Sequence, residues 1–456
     1  MIAPARVAAY DILSAVSAGR SDLPSAIARA RASLNDDRDR ALAAEIAIGV
    51  QRWRAAIDHL IVQFSKRRIE RLDPEIVEIL RLSAYQLLHL TRVPAAAVVD
   101  DAVDLTRRAG KPSAGGFVNA VLRTVSRKRQ SLPLPPRPHD AANRVAALDY
   151  FSIALSHPRW LAARWYDRLG FDAAEQWMRF NNSPAPLTLR ANRLRGSPDD
   201  LIARLAAQEV TVTPGRFAPD ALIVEAGYPL RGGGRSGSDK GWFVVQDEAS
   251  QLIALLAGTP PGLRVLDTCA SPGGKATALA ASTNGRVIAC DVRDRRMNLL
   301  RRTVETTGAQ NVRLVQADLL APLPFSAPFD CVLVDAPCSG LGTLRRDPDI
   351  RWRRREADLA PLAASELQML RHAAEVVGPG GRLVYATCSS EPEENEGVAE
   401  TFLRTSPDFD PVDAHSAGPS LPAAVVDARG HLRTAPDLHG LEAFFGAVFQ
   451  RARRQG

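Results

Sequence analysis

"LRVLDTCASPGGKATALAAS", Leu263 to Ser282, changes character at its centre. It opens on an aliphatic run long enough only for a strand, and it ends in an alanine-rich run that suits a helix. Between them lie Gly273, Gly274 and Lys275, where a strand hands over to a helix. A tight turn made for packing alone is the bland reading. A phosphate-binding Walker loop needs glycine five residues before its Gly-Lys pair and Ser or Thr after it, and Cys269 and Ala276 stand there instead. A dinucleotide fingerprint needs a third glycine, which is absent. S-adenosylmethionine fits: its carboxylate and sugar need exposed backbone N–H groups at close approach. The two glycines permit that approach, and a helix N-terminus favours the carboxylate.

Four more aliphatic runs follow, "GRVIACDV", "VRLVQADL", "FDCVLVDAP" and "GRLVYATCS", separated by helical stretches such as "MNLLRRTVETTG". Apolar strands alternating with helices predict a parallel sheet covered on both faces, a doubly wound α/β domain of Rossmann-like form. Ligands in such sheets bind outside the carboxyl ends of the strands. Asp291 ends the second strand, where it would accept from ribose hydroxyls, and Asp318 follows the third, where it would accept from the adenine amino group. Either aspartate is also a plausible helix cap, and NAD would use the ribose contact equally well.

The fourth strand exits into Asp335 and Cys338, and the fifth into Cys388. Adjacent strands lie about 4.8 Å apart, so two such thiols would face one small substrate if the strands are neighbours. Cys290 and Cys331 lie within apolar strands and read as small buried hydrophobes, while Cys269 belongs to the cofactor loop. Methylation at carbon 5 of a pyrimidine needs this set. A thiolate adding to carbon 6 makes carbon 5 nucleophilic, an acid such as Asp335 stabilises the developing charge, and a base removes the carbon-5 proton. A cation such as Lys275 would favour the thiolate. The chemistry leaves open which cysteine attacks. Ser390 and Glu393 form a capping-box pattern that predicts a helix starting directly after Cys388, its dipole favouring the thiolate. With no C-x-x-C or His cluster, no metal is expected.

The rest of the 456-residue chain reads as two further domains. Residues 1–130 show helical periodicity, as in "EIVEILRLSAYQLLHL". The prolines of "RQSLPLPPRPHD" mark a boundary, residues 141–240 mix helices and short strands, and 241–456 form the catalytic domain. "PLRGGGRSGSDKGW" is expected to be a flexible loop. The net charge is +7, with arginine-rich clusters at "SKRRIER", "SRKRQ" and "LRRDPDIRWRRRE" that suit a polyanion, or else are solvated helix faces. No apolar run reaches the roughly 18 residues of a membrane span, and the first residues read as an amphipathic helix rather than a signal peptide. Five cysteines form no disulfide pattern. A cytoplasmic location without membrane attachment is expected.

"DTCASPGGKAT", "DAPCSGLGTLRRDPDIRW" and "YATCSSEPEENEGV" resemble motifs of the RsmB/Nop/Sun family of RNA (cytosine-5)-methyltransferases. The resemblance implies Cys388 as nucleophile and Cys338 as the residue that assists release. It sets Cys269, Ala270, Ser271, Pro272, Gly273, Gly274, Lys275, Asp291, Asp318 and Asp335 around cofactor and base. Ser271 stands where alanine is usual, and Ser390 with Glu391 replaces a common apolar pair. "LRANRLRG" and "VQDEASQL" resemble the segments preceding that catalytic domain, and Arg190 and Asn192 are expected at the RNA. "VPAAAVVDDAVDLTRRAG" with "GGFVNAVLRTV" resembles the all-α NusB fold, an appendage typical of the RsmB branch. That branch implies 16S ribosomal RNA as partner, and a monomer is expected. Arg345, Arg346, Arg351 and Arg353 are expected to hold phosphates at the rim of the base entry, with Trp352 a stacking platform or a packing anchor. The competing functions are a catalytically silent rRNA assembly factor, a nicotinamide oxidoreductase and a DNA cytosine methyltransferase.

Overall fold

The computed structural model describes residues 2–230 and 241–453. Most of the loop expected at 229–242 therefore lies outside the described residues. The chain forms two compact units, residues 1–184 with 344–356, and residues 185–343 with 357–456.

The first unit is helical throughout its leading 128 residues, in seven α-helices between Pro4 and Lys128. Their apolar stripes meet in one core, with Leu13, Ile46, Ile57, Ile79, Leu80, Leu105 and Leu122 buried. The helix Pro74–His89 starts with proline at its first turn and buries Ile76, Ile79, Leu80 and Leu82. Its Arg81 is paired on both sides, with Asp58 at 2.7 Å and Glu78 at 2.5 Å. The helix Asp37–Arg52 approaches closely at Gly49, where an added Cβ would lie 1.9 Å from Tyr85 Cζ. Tyr85 is held there by donating to Glu45 at 2.6 Å. Gly49→Ala is therefore expected to destabilise the unit by about 1–3 kcal/mol despite alanine's better helix propensity. Denaturant unfolding monitored by circular dichroism checks this, and an unchanged midpoint would show that the ring yields freely.

The arginine run at 344–356 belongs to this helical unit, which corrects part of the sequence reading. Arg351 is fully buried and donates to the Ser156 carbonyl at 3.0 Å and to Asn182 Oδ1 at 2.9 Å. It closes off carbonyls left over where helices end, and it is not at the surface for a phosphate. Trp352 is a packing anchor, its Nε1 donating to the Gln51 carbonyl at 2.7 Å. Arg345 donates to the Pro184 carbonyl at 2.6 Å and lies over the Phe180 ring. Arg353 is half exposed and pairs with Asp349 at 2.9 Å, and Arg346 is partly exposed.

The second unit carries two sheets. In the smaller, β1 (Thr188–Ala191), β2 (Thr211–Pro214), β3 (Ala221–Ala226) and β4 (Phe243–Val245) are antiparallel in the order β2-β3-β1-β4. The helix Pro198–Ala206 begins with a capping box between Ser197 and Asp200 and packs Leu201 and Leu205 on this sheet. Arg190 and Asn192, expected at the RNA, are buried here. Arg190 donates to Thr277 Oγ1 at 2.8 Å, and Asn192 donates to the Gly241 carbonyl at 2.6 Å and the Thr307 carbonyl at 2.9 Å. Their donors brace the small sheet instead of facing solvent.

The larger sheet contains β5 (Val265–Asp267), β6 (Val287–Asp291), β7 (Val312–Gln316), β8 (Phe329–Asp335), β9 (Val377–Thr387), β10 (Phe409–Val412), β11 (Leu432–Thr434) and β12 (Phe444–Arg451). Its order is β10-β12-β9-β8-β5-β6-β7, with β11 against β12. The five strands from β7 to β9 are parallel, as the aliphatic runs predict. The antiparallel edge of β12 and β10 was not foreseen. Strand order reverses between β5 and β8, and the crevice at that switch point is where ligands bind in such sheets.

Candidate active site

The turn after β5 is built as its glycines suggest. Gly273 caps the helix Gly274–Thr283 with φ +110°, in the left-handed region that L side chains rarely adopt. This geometry puts Lys275 in the first helical turn, pointing back across the sheet ends. Its Nζ donates to Asp335 Oδ2 at 2.7 Å and to Ser250 Oγ at 3.1 Å. Burial lowers the Lys275 pKa, but the charge and hydrogen bond of Asp335, together with the charges of Asp267 and Cys388, raise it above the ordinary lysine value. Lys275 therefore keeps its proton at neutral pH. A cavity of about 760 Å³ opens beside them, lined by Gln246, Ser250, Pro272, Lys275, Thr303 and Asp335 among others.

The cysteines come together because β8 and β9 are neighbours in register, Asp335 opposite Ala386. Three residues beyond one and two beyond the other, Cys338 Sγ and Cys388 Sγ lie 3.4 Å apart. Cys338 is 9% exposed, and Cys388 is the more open of the two. The hydrogen bond with Cys388, then burial, holds the Cys338 thiol well above its ordinary pKa. Lys275 is near enough for its charge to act on Cys388. Cys290 and Cys331 are buried in their strands, burial raising both pKa values to about 12. Burial also pushes up the Cys269 thiol, in the glycine turn.

The helix expected directly after Cys388 starts later, at Glu396 behind Asn395, with no side-chain cap. Ser389 to Glu391 are irregular and Pro392 to Asn395 form a turn, so the helix does not begin directly after Cys388. Glu394 carries the local order instead. Fully buried, it accepts from the Ser339 N–H at 2.6 Å, Ser339 Oγ at 2.6 Å and Ser389 Oγ at 2.5 Å.

Asp291 accepts from the Ser271 N–H at 3.3 Å and from Arg296 Nε at 2.9 Å, both at Oδ2. Asp318 is exposed and accepts from the Leu320 N–H at 2.9 Å. Asp267, at the end of β5, was missed as a site residue. It is fully buried and neither carboxylate oxygen has a well-formed hydrogen bond. Burial, then the negative Asp335, push its pKa up to about 7. An orphaned acid beside the glycine turn fits a ligand bringing positive charge, as the ammonium and sulfonium of S-adenosylmethionine do.

Known proteins resemble this chain over most of its length. A family model described as 16S rRNA methyltransferase RsmB/F matches residues 255–450, the NusB family matches 3–127, and the ferredoxin-like domain of RsmF/B-like methyltransferases matches 157–231. The probable ribosomal RNA small subunit methyltransferase B of Bacillus subtilis is 32% identical, over 90% of each chain. The chain belongs to the RsmB-type methyltransferase family. The ribosomal RNA small subunit methyltransferase B of Pseudomonas putida is 33% identical over 88% of this chain and 89% of that one. A solved methyltransferase homologue from Pyrococcus horikoshii, 27% identical, covers 67% of this chain and 99% of its own with a TM-score of 0.57. The architecture is accordingly a NusB-like helical region, a ferredoxin-like linker and a Rossmann-like methyltransferase domain.

Proposed function

We propose that this protein methylates carbon 5 of a cytosine in 16S ribosomal RNA, acting as a cytoplasmic monomer. The observation that carries the reading is the 3.4 Å approach of Cys338 and Cys388 beside the Lys275–Asp335 pair. We assign RNA holding to residues 1–130 and 141–240, and catalysis to 241–456.

S-adenosylmethionine, when bound, supplies the methyl group. The glycine turn with Asp267 and Asp291 would hold it, with Asp318 at its adenine. Cys388, the more open sulfur, forms the bond to carbon 6 of a base that has left its stack. Lys275, with Asp335 orienting it, supplies the proton or hydrogen bond that stabilises charge developing at ring nitrogen 3. Cys338 is held as a thiol chiefly by its hydrogen bond to Cys388. Once Cys388 is tied up as a thioether, that restraint is gone, which eases ionisation of Cys338 while burial still opposes it. As a thiolate it takes the carbon-5 proton, the carbon–sulfur bond to Cys388 breaks, and methylated base leaves.

Incubation with methyl-labelled S-adenosylmethionine and 16S rRNA tests the reading. Label is expected in 5-methylcytosine of the RNA and not in DNA of the same sequence. Binding of rRNA without any label would instead favour a silent assembly factor.

A further inference from the structure

Both catalytic loops carry the same dipeptide, Cys338-Ser339 and Cys388-Ser389, and the mechanism uses neither serine. One buried carboxylate joins them. Ser339 Oγ also accepts from the Leu341 N–H at 3.3 Å, and Ser389 Oγ accepts from the Glu391 N–H at 3.1 Å. Both hydroxyls donate to Glu394 Oε2, and the two hydroxyl oxygens also lie 3.2 Å apart, so the serines touch each other as well as the carboxylate. Three donors thus converge on an anion shut off from water, where charge-assisted hydrogen bonds are strongest and a missing partner is most costly. Glu394 is itself fixed from below. Tyr385, fully buried, donates its one hydroxyl proton to the Glu394 carbonyl at 2.6 Å, and its oxygen lies 3.0 Å from Glu366 Oε2, a carboxyl able to donate to it when neutral. The neighbouring Asn395 donates from Nδ2 to the Ser389 carbonyl at 3.1 Å. Burial, then the charge on Glu394, raise the Glu366 pKa to about 9, so Glu366 is neutral at pH 7.

We propose that Glu394 is a positioning residue, a clasp on the serines that follow the two cysteines, which sets the sulfur–sulfur separation for the reaction. This rests on the cysteine-dependent methylation proposed above. The required geometry is strict, because one sulfur must reach carbon 6 while the other reaches the proton on carbon 5, and small misplacements of reacting groups lower rates steeply. Strand pairing fixes the backbones only as far as Asp335 and Ala386. Beyond that register the Gly342 N–H donates to the Cys388 carbonyl at 2.9 Å and the Ser339 and Ser389 hydroxyls lie 3.2 Å apart, and Glu394 adds a charged acceptor that takes both hydroxyl groups.

Glu394→Gln tests the clasp, because it keeps the shape while turning one acceptor into a donor that faces donors. The expected result is a kcat for rRNA methylation lowered on the order of 30-fold, with the KM for S-adenosylmethionine changed less than threefold. A second readout needs no RNA. Diamide takes one hydrogen from each thiol and becomes the hydrazine, joining Cys338 to Cys388 as a disulfide. Peptide mass spectrometry should show this cross-link forming about tenfold more slowly in Glu394→Gln than in the wild type. A variant that melts earlier but keeps its kcat and its cross-linking rate would show that Glu394 only stabilises the fold, and would overturn the proposal. If Glu394→Gln does not fold, Ser389→Ala removes a single donor and should slow both readouts severalfold. Unchanged values there overturn the proposal equally. A wild type that cross-links quickly yet methylates no RNA would sink the methylation reading, and slower cross-linking in the variant would still support the clasp.

Discussion

Cys338→Ala is expected to accumulate a covalent RNA–protein complex that survives a denaturing gel, while its turnover falls by roughly 10²–10⁴-fold. The reason is the order of events at two sulfurs 3.4 Å apart. Cys388 is the more exposed and lies within the reach of the Lys275 charge, which is why the proposed mechanism makes it the nucleophile. Without Cys338 no base stands beside carbon 5, the proton stays, and the bond to Cys388 cannot break. Cys388→Ala should show the opposite pattern, with no adduct and methylation reduced to background. Both variants should still bind S-adenosylmethionine, since neither sulfur lines the large cavity. An adduct in Cys388→Ala and none in Cys338→Ala would exchange the two roles.

The parallel sheet was legible because buried strands advertise themselves as aliphatic runs, and each run ended on its chemical residue. Neighbouring of Cys338 and Cys388 followed from topology, as successive crossovers leave β8 beside β9. Charged residues were read less well. A cluster of arginines in sequence suggests a surface, yet Arg351 is buried because helix ends offer it carbonyls that only the folded chain brings together. Arg190 and Asn192 went astray for the same reason. The Ser390–Glu393 pattern had the spacing of a capping box, but Glu394 is drawn inward by Ser339, 55 residues earlier, and the helix waits until Glu396. The duplicated Cys-Ser dipeptide was visible in the sequence. Its partner was not, because nothing local distinguishes Glu394 from its acidic neighbours.

Asp267→Asn should make the cofactor-free protein more stable and the cofactor bind more weakly. Asp267 is fully buried with poorly satisfied oxygens, and its pKa stands at about 7 against about 4 for an exposed aspartate. The folded protein therefore binds more protons than the unfolded chain between these values. Stability contributed by this group is fully present below about pH 4 and is lost as pH rises through 7. At pH 8 the buried charge costs on the order of 2–4 kcal/mol, which the neutral, isosteric asparagine avoids. The variant should thus gain stability at pH 8 and lose that advantage towards pH 4–5, as chemical denaturation across the pH range would show. The same charge is what a cationic ligand neutralises, so calorimetry should find S-adenosylmethionine affinity reduced by about tenfold or more. An affinity that is unchanged while stability rises would mean that the orphaned carboxylate does not face the cofactor, and that the strain at the end of β5 serves some other group.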